Sequence, residues 1–120
     1  MDFFVLADEE LLIAFRMIGI QGFAVPDGAT ARAVFHAITR ERRIPVQYEP
    51  GKATVFLEGQ QVSILLVTED VAAYLGEDLI AWQLEGAYPL IMEIPPLEGA
   101  RPGHAGIVDA VRKAIGIHIG

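Results

Sequence analysis

Unbroken apolar runs alternate along this chain with stretches in which apolar residues return every three or four positions. Phe3-Phe4-Val5-Leu6-Ala7 is a run of strand length. Asp8, Glu9 and Glu10 come immediately after it. Acids in that place favour a helix start, because carboxylates accept the free amide protons and oppose the helix dipole. Leu11 or Leu12, Phe15 and Ile18 then recur at helical spacing, and Gly19 predicts a stop. Gly22-Phe23-Ala24-Val25 is a second short strand candidate, closed by Pro26-Asp27-Gly28, and Ala31, Val34, Phe35 and Ile38 line one face of a second helix. Val62-Ser63-Ile64-Leu65-Leu66-Val67 is the strongest strand signal, its near-continuous apolar character matching a parallel strand buried on both faces.

Thr68 is a good N-cap for a third helix, with Glu69 and Asp70 in the first turn and Ala72, Leu75, Leu79 and Trp82 as the stripe. Gly76 inside that stripe predicts a bend or a break. Pro89 to Ile94 reads as a last strand, closed by Pro95-Pro96 and a Gly- and Pro-rich loop from Leu97 to Gly106. A final helix over residues 104–116 carries Ile107, Val108, Val111 and Ile115 on one side, with Asp109 near its start, Arg112 and Lys113 in its last turn, and Gly116 to end it.

Strand and helix therefore alternate four times. The pattern predicts an α/β fold, with a four-stranded parallel sheet in order 2-1-3-4 and helices on both faces. Residues 44–61 interrupt the rhythm: Val46 and Tyr48, then Thr54 and Phe56, alternate around Glu49-Pro50-Gly51-Lys52, which predicts a small hairpin insertion with a type II turn. The expectation is a single domain spanning residues 1–120.

Composition narrows what such a fold can do. Hydrophobic residues make up 52% and charged residues 21%, with mean hydropathy +0.39, so some apolar surface is expected to be covered by a partner. No apolar run approaches the roughly 20 residues of a membrane span, and the N-terminus has no basic start, so neither membrane insertion nor a signal peptide is expected. Sixteen acids against nine bases leave a net charge of −7, a poor match to nucleic acid. The absence of cysteine excludes a disulfide framework, a thiolate metal site and a thiol nucleophile within the chain, and fits a reducing cytoplasm. Arg40, Arg42 and Arg43 form the one basic cluster, which reads as a solvated helix end.

Open α/β sheets bind ligands beyond the carboxyl ends of their strands, so candidate chemistry belongs there. Asp8 and Glu9 after the first strand are similar to the Mg²⁺ pocket of a phosphoacceptor receiver domain, whose topology this one resembles. That pocket also needs an Asp ending the third strand and a Lys after the last; here those places hold Val67-Thr68-Glu69 and Glu93-Ile94-Pro95-Pro96. Neither a Walker loop nor a dinucleotide glycine motif comes after any strand. His36, His104 and His118 lack metal-ligand spacing, and no nucleophile–base pair stands out, so no cofactor, metal or catalytic residue is expected. A small enzyme using Asp8, Glu69 and Glu93, or a stand-alone receiver-like signalling module, are the alternatives.

Three stretches resemble the F subunit of the V-type (A/V-type) rotary ATPases. Val5-Leu6-Ala7-Asp8 with Phe15-Arg16-Met17-Ile18-Gly19-Ile20 is similar to the family's strand, Asp and helix ending Gly-Phe-Arg-Leu-Ala-Gly. Leu65-Leu66-Val67-Thr68-Glu69-Asp70-Val71-Ala72 resembles its Ile-Thr-Glu-x-Ile-Ala stretch, and Tyr88 to Pro95, then Gly99 and the close Ile107 to Ile117 with Val111-Arg112-Lys113-Ala114-Ile115-Gly116, are similar to its last part. Ala14 stands where the family usually has Gly, and the insertion is longer than its usual link. The resemblance implies a non-catalytic rotor component, cytoplasmic and peripheral to the membrane. It implies binding to the D subunit of the central stalk, and through it to the nucleotide-binding head and the membrane ring. It places the partner interface at the C-terminal end, on Val108, Val111, Arg112, Ile115, Ile117 and Ile119. Isoleucines in a terminal segment fray unless they dock, which points the same way.

Overall fold

The first run of apolar residues becomes strand β1 (Phe3–Ala7), and its side chains alternate between two separate cores. The computed structural model describes residues 1–46 and 54–95. Within them the elements after β1 are α1 (Glu9–Met17), β2 (Gly22–Ala24), α2 (Gly28–Arg40), β3 (Ile44–Val46), β4 (Val55–Leu57), β5 (Ile64–Thr68), α3 (Glu69–Leu75), α4 (Glu77–Glu85) and β6 (Leu90–Ile94).

The main sheet is parallel, in order β2-β1-β5-β6, which is the expected 2-1-3-4 once the hairpin strands are set aside. Phe4 lies opposite Leu65 and Val5 opposite Leu66. Phe4, Leu6, Leu65 and Val67 project to one face, where Val34, Phe35 and Ile38 of α2, Val71 and Leu75 of α3 and Leu79 and Trp82 of α4 cover them. Val5, Ala7, Leu66 and Ile94 project to the other, where they share a cluster with Leu11, Leu12 and Phe15 of α1. Each fully buried side chain of this size contributes roughly 1.5–3 kcal/mol.

Capping determines where the helices begin. The Asp8 carboxylate accepts the Leu11 amide at 2.9 Å, Asp27 accepts that of Thr30 at 2.8 Å, and the Thr68 hydroxyl accepts that of Val71 at 3.2 Å. The Thr30 amide holds the Asp27 carboxyl below its ordinary value. Helix ends account for two departures from expectation. Ile18, expected in the buried stripe of α1, is 50% exposed and forms the C-cap. Gly19 turns left-handed (φ 86), the Gly19 amide donates to the Arg16 carbonyl and the Ile20 amide to that of Phe15. This closure reverses the chain, so Ile20 rather than Ile18 is buried in the cluster that holds Phe15. Gly76, at φ 53, breaks the third helical stretch into α3 and α4 while Leu75, Leu79 and Trp82 stay in one core.

β3 and β4 pair antiparallel, Ile44 opposite Leu57 and Val46 opposite Val55, so the insertion is the expected hairpin; the type II turn expected at Pro50-Gly51 lies outside the described residues. Gly22 pairs with Val5, and a Cβ there would overlap the Val5 side chain and carbonyl and the Leu12 methyl. That close approach seats α1 on the sheet. Gly22→Ala should therefore destabilise the fold by about 2–3 kcal/mol, read as a lowered urea midpoint at unchanged slope.

Candidate functional site

The carboxyl ends of β1, β2 and β5 open into a cleft of about 450 Å³ lined by Asp8, Glu9, Val25, Thr68, Asp70 and Tyr74 among others. This is where an open α/β sheet would hold a ligand. Its polar groups already have structural work: Asp8 and Thr68 commit oxygens to helix amides, and Glu9 and Asp70 sit in first helical turns. Of the three carboxylates grouped in the enzyme reading, only Asp8 lines the cleft; Glu69 opens α3 and Glu93 is exposed on β6. Among the described residues no group of three His, Asp or Glu side chains is placed to hold a metal ion. Thr68 occupies the place where a receiver needs its third-strand acid, and it is 2% exposed.

A second cleft, of about 410 Å³, lies between the C-terminal ends of α2 and α4, lined by Thr39, Arg40, Arg42, Gln60, Trp82 and Tyr88 among others. Here the basic cluster is more organised than a solvated helix end. Arg40 grips both oxygens of Glu85, at 3.2 and 2.6 Å, and lies 4.7 Å over the Trp82 ring. The Trp82 indole donates to the Pro89 carbonyl at 2.8 Å. Arg43 pairs with Glu41 at 2.6 Å and lies 4.6 Å over the Phe56 ring, tying the hairpin to the end of α2. These are cation–π contacts backed by ion pairs. The Arg40 hydrogen bond lowers the Glu85 carboxyl below its ordinary range, and Arg43 does the same to Glu41. His36 is on the surface of α2, 3.8 Å from Glu41.

The sequence could not announce the Arg40–Glu85 pair, since its partners lie 45 residues apart. The candidate interface residues Val108, Val111, Arg112, Ile115, Ile117 and Ile119, like His104 and His118, lie outside the described residues. No helix among the described residues is long and apolar enough to cross a membrane.

This geometry has two measurable consequences. Asp8→Ala should cost ~1 kcal/mol, the scale of a lost N-cap, without changing Mg²⁺ binding measured by calorimetry. Because the Glu85 carboxyl is held below its ordinary value of 4.5 in the folded protein, its pairing stabilises above that pH and is lost as pH falls through the lowered value. Glu85→Gln should therefore lower the urea midpoint near neutral pH, and the gap from wild type should close on acidification.

No family model matches the chain. It is similar over almost its whole length to curated relatives. The F subunit of the A-type ATP synthase of Thermococcus sibiricus is 27% identical over 115 residues, covering 96% of this chain and 94% of the relative. The F subunit of the A-type ATP synthase of Pyrococcus furiosus is likewise 27% identical over 115 residues, with the same coverage of both chains. These relatives support the assignment read from the residues alone.

Proposed function

Taking as premise that the chain is an F subunit of the A/V-type rotary ATPases, as its near-full-length relatives support, we propose that it is a non-catalytic part of the rotor. In this role it binds the coiled-coil D subunit of the central stalk. It thereby helps couple ATP hydrolysis or synthesis in the nucleotide-binding head to proton or sodium transport by the membrane ring. The observation that carries the reading is similarity across 96% of the chain to two proteins of one name. The first cleft is consistent with it, since Asp8 and Thr68, two of the polar side chains that line it, cap helices. The protein is then cytoplasmic and peripheral to the membrane, and residues 1–120 act as one domain with the insertion at 44–61.

The C-terminal helix over residues 104–116 and the tail beyond it are the proposed interface. Val108, Val111 and Ile115 supply apolar anchors, Ile117 and Ile119 extend them, and Arg112 meets an acid at the rim, where it orients more than it tightens. A few buried anchors dominate interfaces of this kind.

Truncation after Ile107 should abolish binding to the purified D subunit and lower the coupled ATPase activity of the complex, while circular dichroism still reports a folded sheet domain. Val111→Asp or Ile115→Asp should each weaken binding by roughly 2–4 kcal/mol in a calorimetric titration. Unchanged binding by the folded truncation would move the interface elsewhere.

A further inference from the structure

Helix α4 joins the fold through little of its surface. Of its nine residues only Leu79 and Trp82 are buried, and the other seven are exposed. A helix this short is marginal by itself in water, so it persists through what those two side chains and its ends are tied to. Its start is bare as well. α1, α2 and α3 each begin under a side-chain cap, whereas among the described residues no side chain caps α4, whose N-cap is Gly76. The Ile80 amide donates to the Gly76 carbonyl at 3.5 Å, a long and weak hydrogen bond.

Glycines at positive φ bound α4 on both sides. Gly76 adopts φ 53 and ψ −123, a conformation that a side chain would strain, and Gly86 is left-handed at φ 69. Neither is wedged in place: a Cβ at Gly76 would come no nearer than 3.9 Å to the Ala73 carbonyl oxygen, and one at Gly86 would meet nothing within 4 Å. Both glycines therefore serve the backbone turn rather than close packing, and neither has a Cβ to resist a further turn. Between them the helix is fastened at its C-terminal half. The Trp82 indole donates to the Pro89 carbonyl, within the connection that α4 itself belongs to. Arg40 comes from α2, grips both oxygens of Glu85 and lies over the Trp82 ring.

We propose that α4 is a hinged flap that opens as a unit about Gly76 and Gly86 while the sheet stays folded, with the Arg40 guanidinium as its latch. Elements with few buried contacts open before the rest of a domain. Closed, the flap leaves Ile80 and Leu84 in water; open, it adds Leu79 and Trp82 to them and undoes the second cleft, whose wall Trp82 shares with Ile38 and Val62. The device belongs to this chain alone and does not depend on the rotor reading.

Native-state hydrogen exchange of the full chain at low urea separates opening of α4 from unfolding of the domain. The protected α4 amides should exchange at least about tenfold faster than those of β1 and β5, and share one weaker dependence on urea, because the opening exposes less surface. Glu85→Gln should speed their exchange by about two- to fivefold, the worth of an exposed charged pair. Trp82 is the one tryptophan of the chain, so its emission reports the same motion. Gly76→Ala strains the closed hinge, and should shift that emission to the red while circular dichroism still reports a folded domain. Equal protection and equal urea dependence in α4, β1 and β5 overturn the flap, because α4 would then open only with the whole domain. Exchange of the α4 amides with no urea dependence also overturns it, since single turns would then be fraying. Unchanged α4 exchange in Glu85→Gln overturns the latch, and a Trp82 shift in Gly76→Ala that appears only where circular dichroism is lost overturns the hinge. The wild-type and Glu85→Gln exchange decide the matter even where Gly76→Ala does not fold.

Discussion

β1 and β5 lie side by side with Phe4 against Leu65 and Val5 against Leu66, and each must be covered on two sides at once. A parallel pair with apolar side chains on both faces is stable only when helices shield both. The connection between the two strands supplies that cover. α1 turns back over β1 and β2 on one side, and α2 returns on the other before the chain enters β5. The tight seat of Leu12 over Gly22, the reversal at Gly19 and the break at Gly76 all adjust helices to a sheet whose two faces are already committed.

The same constraint shapes the two clefts. Strands that end together at Ala7, Ala24 and Thr68 leave helix N-termini around their carboxyl ends, and those free amides need acceptors. Asp8 and Thr68 meet the need, so a position that carries chemistry in other α/β proteins here completes helices. At the opposite ends of the helices the unpaired groups are carbonyls, which favour cations. Arg40 at the end of α2 answers that, and its hold on Glu85 at the end of α4 links the two helix ends over Trp82. The hairpin is attached at the same corner through Arg43 and Phe56. Both arginine pairs are exposed, so they position the segments more than they stabilise them.

In the first cleft Asp8 and Thr68 cap helices, while Glu9, Asp70 and Tyr74 also line it. Among the described residues the most exposed aliphatic side chains, Met17 and Leu84 at 82% each with Ile13 and Ile80 above half, lie on helices, while Val55 and Leu57 stand out on the hairpin and Tyr88 lines the second cleft. That distribution suits a module that is held in an assembly, as the names of its relatives describe for them.

The strands, the helix starts and the sheet order were legible in the sequence because each depends on neighbours a few positions away. An apolar run bounded by Asp8 or Thr68, a glycine at 19 or 76, and the alternation of strand with helix together leave few topologies open. The hairpin was legible for the same reason, as two alternating runs around a turn dipeptide. What depends on distant parts of the chain was not. Nothing local distinguishes Ile18 from Ile20; only the closure of the helix onto the carbonyls of Phe15 and Arg16 decides which one faces the core. Nothing local pairs Arg40 with Glu85 or sets its guanidinium over Trp82, so a basic run that reads as solvated is in fact engaged. The sequence by itself determined the fold class, the caps and the family resemblance, because these are short-range patterns of hydrophobicity and hydrogen-bonding capacity. Which apolar side chains stay in water, and which charged groups pair across the chain, only the tertiary structure decided, because burial and long-range pairing are properties of the packed chain.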